Sequence, residues 1–327
     1  MNKKIDSFEP QLSLGASVAR NLATATVTVP QMAQITPRWL LKLLPYVNID
    51  GGVYRLNRVA KAKDNGVLDG HGEVKVDFLT VETGEPKLPT TFVDYQENPR
   101  EYHLNNIQTI LNTHTRVTDL YSNKIDQLRE QIRLTIEALK EREEWEIINN
   151  PDFGLLREVA LEQRINTRKG SPTPDDLDNL LSLVWKKPAY FLAHPKAIAA
   201  FGRECTRRGV PPPTVSLFGS PFLTWRGIPL IPTNKLEIKG DGKDATTTIL
   251  LLRVGESEQG VVGLQKAGVT GEIETGLSVR YMGTDENSIA SHLVTRYFST
   301  AVLTEDAVAR LDGVQVGNFH EYVYPRQ

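Results

Sequence analysis

A long amphipathic helix is the feature that most constrains the fold of this chain. Between Val117 and Ile148, apolar residues recur in steps of three and four. They are Val117, Tyr121, Ile125, Leu128, Ile132, Ile136 and Leu139. At about 1.5 Å per residue such a helix is roughly 45 Å long, more than a compact domain needs. A coiled-coil partner helix and a spine helix along a flat domain both fit. The apolar stripe is short and shifts face near Trp145, which favours the spine.

The chain before this helix predicts little compact structure. Residues 1–34 are rich in small and β-favouring residues and lack the apolar bulk of a core. They are compatible with a disordered tail, or with an arm that becomes ordered on a neighbouring subunit. The following segment, Thr36–Pro45, predicts a short helix with Thr36 as its cap and Pro37 at its first position. Its expected buried face is Trp39, Leu40 and Leu43.

The next residues predict strands and turns. Tyr46–Arg58 alternates apolar and polar residues around Gly51-Gly52, which predicts two strands joined by a tight turn. Residues 59–99 carry many Gly, Pro and Asn-Gly turn signals, with one clear strand at Val74–Val81. Together they predict a long projecting hairpin. Because such a hairpin exposes edges and apolar residues, another chain is expected to cover it.

The second half of the chain alternates short helices with strands, without βαβ repeats. Thr173 and Pro174 begin a helix, and another is expected over His194–Arg208. The remaining apolar runs predict strands, with a hairpin about Arg226-Gly227. These strands are Tyr190–Ala193, Leu223–Trp225, Ile228–Ile231, Thr246–Val254, Val279–Met282 and Thr295–Leu303. Residues Ala307–Leu311 are expected to end the core. The predicted fold class is α+β.

The composition excludes several functions. The 327 residues carry 38 Lys and Arg against 40 Asp and Glu, so neither a basic balance nor a basic stripe suggests nucleic acid. A single cysteine rules out an internal disulfide or a zinc site of several thiolates. The N-terminus lacks the apolar stretch of a signal peptide, and no apolar run is long enough to span a membrane. We expect a soluble cytoplasmic protein.

The sequence shows no recognisable catalytic, cofactor or metal motif. Phosphate loops, HExxH, GxSxG and EF-hand patterns are all missing. The six histidines are scattered, and Asp175, Asp176 and Asp178 open a helix, where the dipole stabilises carboxylates. Cys205 has two interpretations. It is either a packed thiol, or a nucleophile whose pKa is lowered by Arg203, Arg207 and Arg208.

Three segments resemble the family-two encapsulin shell proteins, which carry the Hong Kong 97 phage-capsid fold. The segment YVNIDGGVYRLNR at Tyr46–Arg58 is similar to one that these shells share. The segments Arg226–Pro232 and Tyr297–Val316 are similar to a hairpin of their axial lobe and to their closing strand and tail. The chain has no room for an inserted cyclic-nucleotide-binding-like domain, so the resemblance is to the uninserted, 2A type.

The resemblance implies a domain plan. An extended arm and short helix take residues 1–45, and the projecting E-loop hairpin takes residues 46–100. A peripheral domain with the spine helix takes residues 101–170 and 271–312. An axial domain takes residues 171–270, and a tail takes residues 313–327.

The resemblance also implies a function and a candidate site. The chain is expected to be a structural protein that builds the smallest icosahedral shell (T=1) around a cargo enzyme. In this family the cargo is typically a cysteine desulfurase of sulfur metabolism. Axial-lobe loops point at the five-fold axis, which places residues 207–220 near a pore with Arg207 and Arg208 facing passing anions. The candidate pore residues are Arg207, Arg208, Gly209, Val210, Pro211, Pro212 and Pro213. A solvated loop away from any opening fits equally well.

Two other functions remain open from the sequence. A phage or prophage major coat protein has the same fold, and is expected to package DNA with the help of a scaffold or protease. An enzyme with an unrecognised site, using Cys205, is the other alternative. The short N-terminal segment does not look like an appended scaffold domain.

Overall fold

A computed structural model describes residues 35–57, 95, 98–114 and 127–319. Its helices are α1 (Trp39–Leu43), α2 (Gln127–Asn149), α3 (Leu155–Glu158), α4 (Pro174–Leu183) and α5 (Pro195–Arg207). Its first strands are β1 (Tyr46–Asn48), β2 (Val53–Leu56), β3 (Arg100–His103), β4 (Asn105–His114), β5 (Arg164–Asn166), β6 (Tyr190–Ala193), β7 (Thr214–Leu217) and β8 (Ser220–Trp225). Its later strands are β9 (Ile228–Pro232), β10 (Thr246–Leu252), β11 (Val261–Gln265), β12 (Glu272–Glu274), β13 (Leu277–Thr284), β14 (Ile289–Val302) and β15 (Val308–Gln315). The mixture confirms the α+β class.

The chain divides into two compact units, and the first contains two sheets. This unit comprises residues 1–50 and 104–327. Its six-stranded sheet has the order β1-β11-β14-β13-β12, with β4 also paired to β14. Strand β14 is long enough to pair with three strands: β4 along Ile289–Phe298, β13 along Ala290–Arg296 and β11 along Phe298–Val302. Helix α2 packs on this sheet through Ile136 and Leu139.

The second sheet of this unit has seven strands in the order β5-β15-β10-β6-β9-β8-β7. Its inner strand β10 begins with three threonines and ends in an apolar run, Ile249–Leu252, because both faces of that run are buried. Successive side chains point to opposite faces, so Leu250 and Leu252 contact one core while Ile249 and Leu251 contact another. The sheet therefore separates two hydrophobic cores.

We name these cores by the helices that cover them. The spine core lies beneath α1 and the end of α2, and its members include Trp39, Leu40, Ile147, Ile148 and Phe298. The lobe core lies beneath α4 and α5, and its members include Leu177, Leu180, Phe191, Phe201 and Cys205. Two separate cores suit the 327-residue length of the chain.

The second compact unit comprises residues Gly51–His103. Its described part is an antiparallel pair in which β2 lies beside β3, with Val53 opposite His103 and Leu56 opposite Arg100. Arg55 also forms an exposed ion pair with Glu101 across the two strands. The strand predicted at Val74–Val81 and the rest of the E-loop hairpin lie outside the described residues.

The hairpin predicted at Tyr46–Arg58 is wrong, although its two strands exist. Strand β1 pairs in parallel with β11, and β2 pairs with β3 in the other unit. Tyr46 explains why β1 pairs with β11. Its ring lies over Gly263 of β11, where a Cβ would come within 2.6 Å of the ring. The glycine at this position is what allows the close approach.

The cap predicted for the first helix is also wrong. Helix α1 begins at Trp39 after Arg38, which has left-handed backbone angles (φ 47°, ψ 52°) and makes no side-chain cap. Thr36 instead donates from its backbone N–H (2.9 Å) and its hydroxyl (2.7 Å) to Oε1 of Glu141. A hydrogen bond to a carboxylate is stronger than one to a neutral partner, so Glu141 holds Thr36. Trp39 and Leu40 are buried as predicted, but Leu44 is buried where Leu43 was expected.

Most elements of the second half are confirmed. Helix α4 starts with a capping box between Thr173 and Asp176, and helix α5 follows β6 as expected. The hairpin about Arg226-Gly227 joins β8 to β9. Helix α2 confirms the spine prediction over Gln127–Asn149, while its predicted beginning, residues 117–126, lies outside the described residues.

The domain boundaries remain predictions. Residues 171–270 contribute β6 to β10 to the seven-stranded sheet. The same sheet contains β5, from the segment assigned to the peripheral domain, and β15, which runs from that domain into the segment assigned to the tail. Strand β11, assigned to the axial domain, lies in the six-stranded sheet. The arm predicted for residues 1–34 lies outside the described residues.

Candidate functional site

The candidate pore loop begins where α5 ends. The backbone N–H of Val210 donates to the carbonyl of Cys205 (3.0 Å), and that of Gly209 donates to Thr206 (3.0 Å). This pair of bonds is a Schellman motif, and it places Gly209 at φ 72°. A residue with a Cβ is strained at this backbone angle, so glycine suits the position. The helix end therefore directs the loop away from the lobe core.

Three prolines carry the loop to the next hairpin. Because Pro211, Pro212 and Pro213 have fixed φ angles, the segment stays extended. Its far end is held by Thr224, whose N–H (2.8 Å) and hydroxyl (3.1 Å) donate to the carbonyl of Pro213. Val210 is 49% exposed at the start of this segment. The loop thus presents a stiff, exposed edge.

The two arginines of the loop are not free cations. Arg207 Nη2 lies 2.6 Å from Glu204 Oε1, and Arg208 Nε lies 2.8 Å from the same oxygen. Burial alone would raise the pKa of Glu204, but the hydrogen bonds from Arg208 and Arg207 hold it below its usual value. The carboxylate is therefore ionised and balances one of the two arginine charges, and the carboxylate of Asp175, 3.6 Å from Arg208 Nη1, lies close enough to balance the other. This is less positive charge than the sequence suggested.

Cys205 is a packed thiol. It lies in the lobe core with no exposed surface, and burial together with the charge of Glu204 raises its pKa to about 11. The effect of Arg208 is in the opposite direction and smaller. The arginine-activated nucleophile considered from the sequence is therefore wrong, because the thiol stays protonated near neutral pH.

The other candidate groups have structural roles. His194 caps α5 by accepting the backbone N–H of Lys196 at Nδ1 (3.1 Å). Asp176 belongs to the capping box, and Asp178 accepts from Trp225 Nε1 (2.7 Å) and from Arg226. Within the described ranges, no group of three or more His, Cys, Asp or Glu side chains is placed to hold a metal ion. Likewise, no described helix has the length and apolar character needed to cross a bilayer.

Sequence reasoning missed a partly buried ionic cluster around three glutamates of α2, which we call the spine junction. It consists of Arg38, Glu141, Glu143, Glu144, Lys235 and Arg296. Arg296 binds Glu143 with two hydrogen bonds, Nε to Oε2 (2.9 Å) and Nη2 to Oε1 (2.8 Å). Tyr46 also donates to Glu143 (3.1 Å), and Lys235 binds Glu141 (2.5 Å).

The spine junction joins α1 and β1 to the long helix. Burial raises the pKa of Glu144 to about 7, an effect that the nearby Lys235 reduces and that Glu141 increases. The one sequence feature that could have indicated the spine junction is the cluster of glutamates near the end of an otherwise amphipathic helix. Their partners are distant in the chain, so spacing alone did not reveal them.

The fold is that of phage capsids. A solved chain of Microbacterium phage Oxtober96 matches with a TM-score of 0.57, over 86% of this chain and 91% of that chain. The capsid of a native GTA particle matches with a TM-score of 0.56, over 85% and 91% respectively. At 11% and 12% identity these matches show the fold alone, and they confirm the Hong Kong 97 type expected from the sequence.

Closer relatives define the family within that fold. The family model for SrpI-like type 2A encapsulin shell proteins matches residues 61–318. The type 2A encapsulin shell protein SrpI of Synechococcus elongatus is 56% identical over 96% of this chain and 98% of its own length. A type 2A encapsulin shell protein of Mycolicibacterium paratuberculosis is 54% identical over 95% and 97%. The cryo-EM structure of the holo-SrpI encapsulin complex from S. elongatus PCC 7942 matches with a TM-score of 0.79 and 54% identity, over 96% of this chain and all of that chain.

This chain belongs to the SrpI-like type 2A encapsulin shell proteins. These relatives are named as shell proteins rather than enzymes. The suspected family is therefore confirmed, and the enzyme alternative has no support.

Proposed function

We propose that this chain assembles into a closed icosahedral shell that encloses a cargo protein. The observation that carries the proposal is its 56% identity, over nearly the whole chain, to a shell protein of the same family. A single chain type closes a shell when heterologous contacts between identical copies are repeated around several symmetry axes. The smallest such shell, T=1, is the one we propose.

The described surface supports assembly. Strand β12 ends the six-stranded sheet, so one of its edges has no partner strand among the described residues, and all three of its residues are exposed. Ile273 on this strand is 57% exposed, and Tyr281 and Met282 on neighbouring β13 are 62% and 58% exposed. Unpaired edges and exposed apolar side chains are features that a neighbouring subunit covers.

Imaging of the purified full-length protein tests the shell. Negative-stain and cryo-EM fields should contain hollow, closed particles of uniform diameter, and a reconstruction should refine under icosahedral symmetry. Open sheets, filaments or discrete dimers would contradict the proposal. Particles filled with nucleic acid would point instead to a coat protein that packages a genome.

The same reconstruction tests the candidate pore. The loop Arg207–Pro213 is proposed to surround the five-fold opening, where its prolines supply a stiff rim. Because Glu204 and Asp175 compensate the charges of Arg207 and Arg208, we propose that the rim carries little net charge rather than a strong positive potential. Density for this loop away from every symmetry axis would reject the pore assignment without affecting the shell.

For the cargo we propose a cysteine desulfurase, and for the particle a cytoplasmic role in sulfur metabolism. The support is the family resemblance to uninserted shells. Mass spectrometry of particles purified from the native host should identify one abundant co-purifying enzyme. Cysteine desulfurase activity, measured as the release of sulfur from cysteine, should be found in the same sedimentation fractions as the particles. Intact shells that contain a different enzyme would refute this cargo while leaving the shell proposal standing.

A further inference from the structure

A cavity beside the candidate pore loop has no assigned role. Its volume is about 400 Å³, which lies in the usual size range for small-molecule sites. It lies among the loop after β5, the start of α4, the end of α5, the turn before β10 and the segment after β15. The side chains that matter most in its wall are Lys169, Ser171, Glu204, Arg207, Lys243 and Phe319. We call it the basic cavity.

The charges around the basic cavity are unbalanced. Lys169, Arg207 and Lys243 are cations, and Glu204 is the one acidic residue among the described lining residues. That carboxylate already accepts hydrogen bonds from Arg207 and Arg208. Neither Lys169 nor Lys243 forms an ion pair with any residue in the described part of the chain. Two ammonium groups are thus left to attract an anion.

The wall also offers a neutral donor and an apolar surface. Ser171 Oγ accepts a hydrogen bond from Asn318 (3.0 Å), so its own O–H remains available as a donor. Phe319 is 74% exposed, and the guanidinium of Arg203 lies 4.5 Å from its ring centroid. Arg203 is itself anchored by a hydrogen bond to the carbonyl of Val316 (3.0 Å). The ring is therefore held in place beside the cations.

We propose that the basic cavity binds a small organic phosphate. Lys169, Lys243 and the Ser171 hydroxyl would bind the phosphate oxygens, because ammonium groups and hydroxyls are good donors to a compact multivalent anion. The carbon part of the molecule would lie against Phe319. All of these residues belong to one chain, so the site does not depend on assembly, and binding and assembly can fail independently.

Titration calorimetry on the full-length protein tests the site, with phenyl phosphate, inorganic phosphate and phenol as probes. Phenyl phosphate should bind best, inorganic phosphate more weakly, and phenol without measurable heat. Raising the ionic strength should weaken the binding of phenyl phosphate, because salt screens the exposed lysines. Failure of phenyl phosphate to bind, or equal binding of phenol, would overturn the proposal.

Substitutions locate the site. Lys169→Gln and Lys243→Gln should each weaken phenyl phosphate binding about tenfold, the usual loss for one charge-assisted hydrogen bond. Lys196→Gln, at an exposed lysine outside the cavity wall, is the matched control and should leave affinity unchanged. Glu204→Gln should strengthen binding several-fold, since it removes the negative charge and releases Arg207. If Glu204 only maintains the structure of the cavity, Glu204→Gln should weaken the binding of phenyl phosphate instead. Equal affinity for phenyl phosphate in all four variants would show that it binds outside the basic cavity and would overturn the proposal.

Discussion

The two cores of the first unit differ in whether charged side chains are buried beside them. The lobe core is almost purely apolar, built from side chains such as Leu177, Leu180 and Phe201 with no exposed surface. The spine core borders the spine junction, where Glu143 and Glu144 are each 1% exposed yet lie close to cations. An apolar core tolerates small rearrangements, whereas buried charges demand particular partners. We infer that the junction fixes where α1 and β1 sit on the long helix.

Arg296→Met should cause the largest loss of stability. It removes both hydrogen bonds to Glu143 and leaves that carboxylate buried beside the Tyr46 hydroxyl. We expect the free energy of unfolding to fall by about 4 kcal/mol, the usual cost of breaking one side of a buried pair. Urea denaturation at a fixed protein concentration measures it.

Arg133→Met is the matched control for this prediction. Arg133 pairs with Glu130 on the same helix, but both side chains are well exposed. Its loss should change the free energy of unfolding by less than about 1 kcal/mol. If the two substitutions cost the same, the distinction between the spine junction and an ordinary surface pair is lost.

Leu180→Ala tests the apolar side of the comparison. The side chain is fully buried in the lobe core, so the substitution leaves a cavity. The free energy of unfolding should fall by about 3 kcal/mol, with no dependence on pH between 5 and 8. Leu161→Ala, at a residue that is 80% exposed, should have almost no effect. A loss of stability on Leu180→Ala that itself varies markedly with pH would show that the two cores are not separable.

The pH dependence of stability should come from the spine junction. The pKa of Glu144 rises from 4.5 to about 7 on folding, so the folded state favours the protonated carboxyl. Its contribution is fully present below the unfolded pKa and is lost as the pH rises through the folded one. Between pH 5 and 8 we expect this residue to reduce the free energy of unfolding by about 2 kcal/mol. The neighbouring Glu141 has a lowered pKa, so its effect falls in a more acidic window.

Glu144→Gln should remove this component of the pH profile. The variant should be more stable than the unsubstituted chain at pH 8 and nearly equal to it at pH 5. Glu130→Gln, at an exposed position of the same helix, should leave the profile unchanged. An unaltered profile in the Glu144 variant would mean that this carboxyl does not titrate in the predicted range.

Thr173→Ala should have the smallest effect. The hydroxyl accepts the backbone N–H of Asp176 (3.2 Å) and donates to its carboxylate (2.7 Å) at the start of α4. Loss of such a cap costs about 1 kcal/mol. Thr173→Ser keeps the oxygen and should recover most of that loss in the same denaturation experiment. A serine variant as unstable as the alanine variant would indicate that packing of the methyl group matters more than the cap.

The contrast between the lobe core and the spine junction also explains which features could be predicted from the sequence. The lobe was predictable, because caps such as Thr173 and apolar runs such as Thr246–Val254 act through local physics. The spine junction was not, because Arg296 and Glu143 are far apart in the chain and meet only in three dimensions. The pairing of β1 with β11 could not be predicted for the same reason, since nothing in the sequence distinguishes its partner Gly263 from other strand residues. In the candidate site, the loop itself was predictable, but the pairing of Arg207 and Arg208 with Glu204 was not.

The most direct test of the shell is the mass of the particle in solution. Sedimentation velocity or mass photometry of the purified 36.5 kDa chain should show one dominant species near 2 MDa, about sixty copies, as the smallest icosahedral shell requires. Enclosed cargo would add to that mass without changing the outer diameter of the shell. A monomer, dimer or other small oligomer that persists at high protein concentration would contradict the proposed assembly.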